Sequence, residues 1–263
     1  MKKLTFPVSI FASALVAFNG SALADNCHSL SANGINYTTL KTALQMVVPA
    51  PTGVVAPTNP NGGLSFPMWL TLVDGSGLVC AVVNSLNDTK NNADATADIW
   101  LGSRAISAQK ANTANDYSTG LLSLSTANLY SAVQPGGSLF GLQHSNPVYP
   151  KVVYGGKASD YGTVHDPMVG KRPGGVNVFG GGLTLYLNGK KVGAIGVSGD
   201  TSCTDHVVAW KVRAVIKADG VPPFGNFDKM FQDITNGVSA SGFGHPTCLN
   251  NPIASNDGGS IVH

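Results

Sequence analysis

The sequence has 263 residues, 16 Lys+Arg against 14 Asp+Glu, and only 11% charged side chains, against roughly a quarter in an average soluble domain. So even a balance, with no basic run, excludes a partner bound through nucleic-acid phosphates. No stretch of about 18 or more apolar residues is present, so no transmembrane segment is expected.

The chain opens with Lys2 and Lys3, a mostly apolar stretch over 6–18, and Ala22-Leu23-Ala24. That is the pattern of a secretory signal peptide, with cleavage after Ala24 and a periplasmic or secreted mature protein. Without the two leader lysines the remaining chain is formally neutral. Residues 37–48 carry Leu40, Ala43, Leu44, Val47 and Val48 at helical spacing, ended by Pro49. The Pro- and Gly-rich run 49–63 reads as loop. Residues 66–74 and 78–83 form a hairpin pattern around Asp74-Gly75-Ser76-Gly77. A polar loop over 88–98 precedes two expected helices, 99–117 and 121–133.

The block 135–182 is irregular, and a loop-rich block of this length is usually functional or partly disordered. Residues 183–187 and 191–197 alternate about Asn188-Gly189-Lys190, a strong hairpin signal. A helix over 202–216 follows, with Ser202 and Asp205 spaced as a capping box and Val207, Val208, Trp210, Val212 and Val215 on its buried face. The tail from Asp219 is rich in Pro and Gly, with one short helix expected over 227–234. Hairpins and helices in this order exclude a parallel βαβ sheet and predict an α+β fold, an antiparallel sheet covered by helices.

Four cysteines in an oxidising compartment read as two disulfides, and the preferred pairing is Cys27–Cys80 with Cys203–Cys248. Zinc is the competing reading. Cys203-Thr-Asp-His206 and His245-Pro-Thr-Cys248 are mirror-image pairs of the kind that hold tetrahedral zinc. If the cysteines are bridged, His206 and His245 are brought together near the surface, free to bind haem iron or another metal, or to act as a base. His28 and His165 are weaker candidates, and His144 and His263 complete the set.

Three motifs carry a resemblance. Ser107-Ala-Gln-Lys110-Ala-Asn-Thr113-Ala is similar to the A-x-x-K-A-x-T-A helix of the GlcG/HbpS-like (DUF336) haem-binding family. Pro135-Gly-Gly-Ser-Leu-Phe140-Gly-Leu resembles its middle loop, and Asn188-Gly-Lys-Lys-Val-Gly193-Ala-Ile-Gly196-Val-Ser198-Gly199-Asp200 its closing hairpin. The similarity spans about 37–217, whereas the block 141–182 is longer than the family's usual connection and the tail 219–263 has no counterpart. The resemblance implies a profilin-like antiparallel sheet of about five strands, homo-oligomeric assembly and non-covalent haem binding, sometimes linked to sensing or degradation. In some members the iron ligand is a histidine near the first helix, and here His28 stands closest.

The expected organisation is therefore a signal peptide (1–24), a GlcG/HbpS-like domain (25–218) and an irregular C-terminal extension (219–263) packed on it. Lys110 and Thr113 lie three apart on one helix face; Lys110 would hold an anionic ligand while Thr113 hydrogen-bonds to it or ligates weakly. Gly199 and Asp200, at a helix start, would offer backbone N–H groups to a propionate or a small organic acid. Two alternatives stand beside the haem-binding reading: an enzyme acting on a small organic molecule in the same pocket, and a ligand-free structural interaction module.

Overall fold

The computed structural model describes residues 26–48, 60–87, 98–220, 222 and 227–250. The expected signal peptide, the loop at 88–97 and the last residues, including His263, lie outside them. A short helix α1 (Cys27–Ala32), not anticipated, leads into α2 (Tyr37–Val47). Asn36 starts α2 by accepting the Thr39 N–H while the Thr39 hydroxyl accepts the Asn36 N–H, a reciprocal cap.

Strands β1 (Trp69–Asp74), β2 (Val79–Asn84), β3 (Gly182–Leu187) and β4 (Lys190–Ser198) form one antiparallel sheet in the order β2-β1-β4-β3. The sheet has four strands where about five were expected. Both hairpin turns fall where the sequence puts them; Asn188 and Gly189 take the left-handed conformation that an Asn-Gly turn requires. The two long helices are α3 (Leu101–Asp116) and, after β4, the helix Ser202–Val215, which the intervening short turns make α6.

Alternation along the strands sends Leu70, Leu72, Ala81, Val83, Leu183, Leu185, Ile195 and Val197 to one face, against α2 and α6. Trp69, Val82 and Ala194 face α3 on the other side. α3 meets the sheet through Ala105, Ala108, Ala111 and Ala114, and glycines set how close it comes. A Cβ at Gly196 would lie 2.0 Å from the Ser107 carbonyl oxygen, and one at Gly182 would lie 2.4 Å from that of Lys110. The small residues of the α3 motif and the glycines of β3 and β4 are thus two halves of one close helix–sheet contact.

Two expected helices do not form. Over 121–133 only a 3-10 turn (Thr126–Asn128) and the short α4 (Leu129–Ala132) are helical. Ser118 holds Leu124 through its hydroxyl, and Ser125 with Asn128 makes a capping box that starts the helix late. Leu121 and Leu122 are left exposed. The helix expected over 227–234 is instead irregular chain leading to a small hairpin, β5 (Ile234–Thr235) and β6 (Val238–Ser239). Its turn is Asn236-Gly237, both left-handed, a second Asn-Gly signal in the sequence. The block after α4 contains another short helix, α5 (Pro150–Val153). Of α6, the cap is Thr201 rather than Ser202: its hydroxyl accepts the Thr204 N–H.

Candidate functional site: a closed polar cluster beside an aromatic pocket

Lys110 projects from α3 between the sheet and α6. Its ammonium donates to Asp205 at 2.6 Å and to the Val197 carbonyl at 3.1 Å, and lies 4.7 Å from the centre of the Phe179 ring. Both partners of this ion pair are buried. Burial pulls the ammonium below its usual range and pushes the Asp205 carboxyl up to about 6, in each case against the attraction of the partner. The second Asp205 oxygen accepts the Asp200 N–H. Asp200 in turn accepts N–H groups of Leu64, Phe66 and Thr201. The start of α6 is therefore filled by the chain's own carboxylates and the Thr201 hydroxyl. Gly199 packs against Pro67 and Met68, where a Cβ would stand 2.5 Å from the Pro67 carbonyl oxygen.

Of the residues expected to hold an anionic ligand, Lys110, Thr113 and Asp200 all have hydrogen-bond partners within the chain and Gly199 is packed against Pro67 and Met68. Lys110 has its anion, Asp205, already in place. The Thr113 hydroxyl donates to the Gln109 carbonyl and accepts the Asn177 N–H, so it latches the irregular block onto α3.

The disulfides are Cys27–Cys80 and Cys203–Cys248, with Cα separations of 5.2 and 5.1 Å. With the sulfurs bridged, no thiolate remains for a Cys2His2 zinc site. The described residues also hold no group of three or more His, Cys, Asp or Glu side chains arranged for a metal. The second bridge does bring His206 and His245 to one place, on either side of Gly180. A Cβ on Gly180 would lie 2.9 Å from that of His206, and the Gly180 N–H donates to His245 Nε2 at 3.1 Å.

Neither histidine is near the surface, however; both are fully buried. His245 Nδ1 is 2.8 Å from the Pro246 carbonyl, an acceptor only, so the proton is on Nδ1 and both ring nitrogens are used. His206 packs beside Trp210, and neither of its ring nitrogens has a hydrogen-bond partner among the described residues. Burial, with repulsion from His245, lowers His206 to about 3; burial lowers His245 to about 4. Both are neutral imidazoles in the interior, out of reach of an external ligand. His28, His144 and His165 are exposed and lie outside this cluster.

Two buried arginines went unnoticed in the sequence. Arg104 on α3 binds both Asp166 oxygens, donates to the Val153 carbonyl and stacks 3.8 Å over the Tyr161 ring. Asp166 also accepts the Gly162 and Met168 N–H groups. One side chain thus ties down much of the irregular block. Arg213 on α6 does the same for the extension, pairing with Asp228, which also accepts the Ser123 hydroxyl. The available signal was composition: the chain has only three arginines, and two stand inside helices among small or apolar residues.

Beside the cluster lies an apolar pocket of about 430 Å³. Leu122 and Leu124 supply one wall, and Phe227, Phe231 and Phe243 of the extension the other. The backbone links it to the histidines: the His245 N–H donates to the Phe231 carbonyl at 2.7 Å.

The fold and these anchors define an α+β domain, an antiparallel sheet with one long helix packed on each face, enlarged by a pinned insertion and a pinned extension. The chain belongs to the HbpS-like family: residues 72–214 match the family model described as haem degrading protein HbpS-like. A curated relative, an uncharacterized 15.0 kDa protein in the dhaT-dhaS intergenic region of Citrobacter freundii, is 35% identical over 112 residues. That alignment spans 43% of this chain and 57% of the relative. Among solved structures, Klebsiella pneumoniae protein ORFY, of family DUF336, is 22% identical with a TM-score of 0.43, covering 71% of this chain and 89% of that one. The PduOC:haem complex is 21% identical with a TM-score of 0.41, covering 68% and 89%.

Proposed function

We propose that this protein is an exported haem-binding protein that holds its ligand non-covalently and self-associates, with sensing or degradation of the captured haem as its wider role. The observation that carries this reading is the HbpS-like match over 72–214, which includes both the α3 motif and the closing hairpin. Haem does not fit the Lys110–His206–His245 cluster, because its ammonium is paired and its imidazoles are enclosed. Titrating the full protein with hemin should give a saturable Soret shift at about one equivalent per chain; an unperturbed Soret band at every ratio would reject the reading.

Export rests on the leader pattern and on the two disulfides, which persist in oxidising compartments. Intact mass of the protein recovered from its native host should correspond to a chain starting at Asp25. A functional protein that keeps Met1 and its leader would contradict this.

A further inference from the structure

We infer that the pocket between the Leu122–Leu124 segment and the C-terminal extension binds an uncharged, mainly aromatic small molecule and discriminates against anions. Its three rings, Phe227, Phe231 and Phe243, lie beyond residue 214, where the family match ends. The family's own ligand therefore says nothing about the occupant, and the pocket is tested apart from the haem reading.

Three observations define the occupant. The first is electrical. No described lining residue carries a charge. The charged side chain within a hydrogen bond of the lining is Asp233, which accepts the Ser241 N–H at 2.6 Å. A carboxylate so placed repels an acid, and the neighbouring Arg213 is committed to Asp228. An ion of either sign would also lose its water on entering walls of carbon, with no partner to replace it.

The second is chemical. Asn128 accepts from Ser125 and donates to the Lys229 carbonyl, and the Ser241 hydroxyl accepts the Phe243 N–H. The described lining is otherwise leucine and phenylalanine, so recognition runs through ring and methyl contacts rather than directional bonds. The third is size and preorganisation. A space of about 430 Å³, filled at the interior packing density of about 0.75, holds roughly 15–20 non-hydrogen atoms. That is a compound of two or three rings. Phe227 and Phe243 are 50% and 45% exposed, yet the chain that carries them is fixed. Arg213 and Ser123 hold Asp228, next to Phe227, and the Cys203–Cys248 bridge ties the chain beyond Phe243 to α6. Half-exposed rings on a fixed backbone lose little freedom when a ligand covers them.

The test uses two probes of that size with one shared skeleton, on the full chain: N-phenyl-1-naphthylamine and its sulfonate, 8-anilino-1-naphthalenesulfonate. The uncharged amine should bind saturably, at about one equivalent per chain, with enhanced and blue-shifted emission. The sulfonate should bind on the order of tenfold more weakly, or worse. F227S/F243S should weaken the amine by about tenfold or more, as loss of two aromatic anchors does. Should that variant misfold by circular dichroism, L122W, which fills the space from an exposed wall position, should block the amine instead. Equal affinity for the two probes, no saturable binding of the amine, or folded variants with unchanged affinity would overturn the inference. So would a dimer in light scattering that the amine dissociates, since the pocket would then belong to a second copy of the chain.

Discussion

Replacing Arg104 with alanine is expected to destabilise the protein by about 3–5 kcal/mol, the usual effect of leaving a buried charge without its partner. Asp166 would keep its bonds from Gly162 and Met168 but lose two guanidinium contacts, and Val153 would lose its donor. Thermal unfolding should move down by on the order of 10 °C. The double variant R104M/D166L should recover only part of the loss: it leaves no unpaired charge, but the buried Gly162 and Met168 N–H groups lose their acceptor. A single variant that unfolds like the wild type would show that Arg104 does not anchor the insertion.

Acid is expected to destabilise the protein well above the pH at which ordinary carboxylates protonate. His206 and His245 sit near 3 and 4 in the folded chain, against about 6.5 unfolded. The folded state therefore binds fewer protons. The stability the two histidines contribute is complete above about pH 6.5 and is lost as pH falls toward their folded values. Asp205 works the other way: its carboxyl is raised to about 6, so the stability it contributes is present at low pH and lost as pH rises through 6. Set against Asp205 alone, the two histidines leave a net uptake of about one proton on unfolding between pH 6 and 4, roughly 1.4 kcal/mol per pH unit, and Asp116, also raised by burial, reduces it. The groups facing His206 are His245, Asp228, Arg213 and Lys110. Urea midpoints at pH 7, 6, 5 and 4 measure the slope. H206F should flatten it by about one proton; an unchanged slope would mean that His206 is not a buried neutral imidazole.

The fold was legible where local rules suffice. Leu40, Ala43 and Leu44 mark α2 by spacing, Asn188-Gly189 marks its hairpin, and the four cysteines pair as their places along the chain suggested. Helix spacing misled at 121–133, because Ser118, Ser125 and Asn128 compete for the backbone there. It misled again at 227–234, where Asn236-Gly237 turns the chain into a hairpin instead.

The candidate site was half legible. Lys110, Asp205, His206 and His245 were singled out or adjacent to motifs, and they do converge. What the sequence could not reveal is that Lys110 and Asp205 neutralise each other while the two imidazoles are enclosed. Lys110 and Asp205 are 95 residues apart, and Arg104 and Asp166 are 62 apart; no spacing rule joins residues so distant. The aromatic pocket was hidden for the same reason. Its phenylalanines look like ordinary core residues until the extension folds back along Leu122 and Leu124.

The measurement that bears most directly on this account is a crystal structure of the full chain grown with hemin. Haem should be bound with Lys110 still paired to Asp205 and both buried histidines still enclosed. Iron bonded to His206 or His245, with the segment around Cys248 displaced, would contradict it.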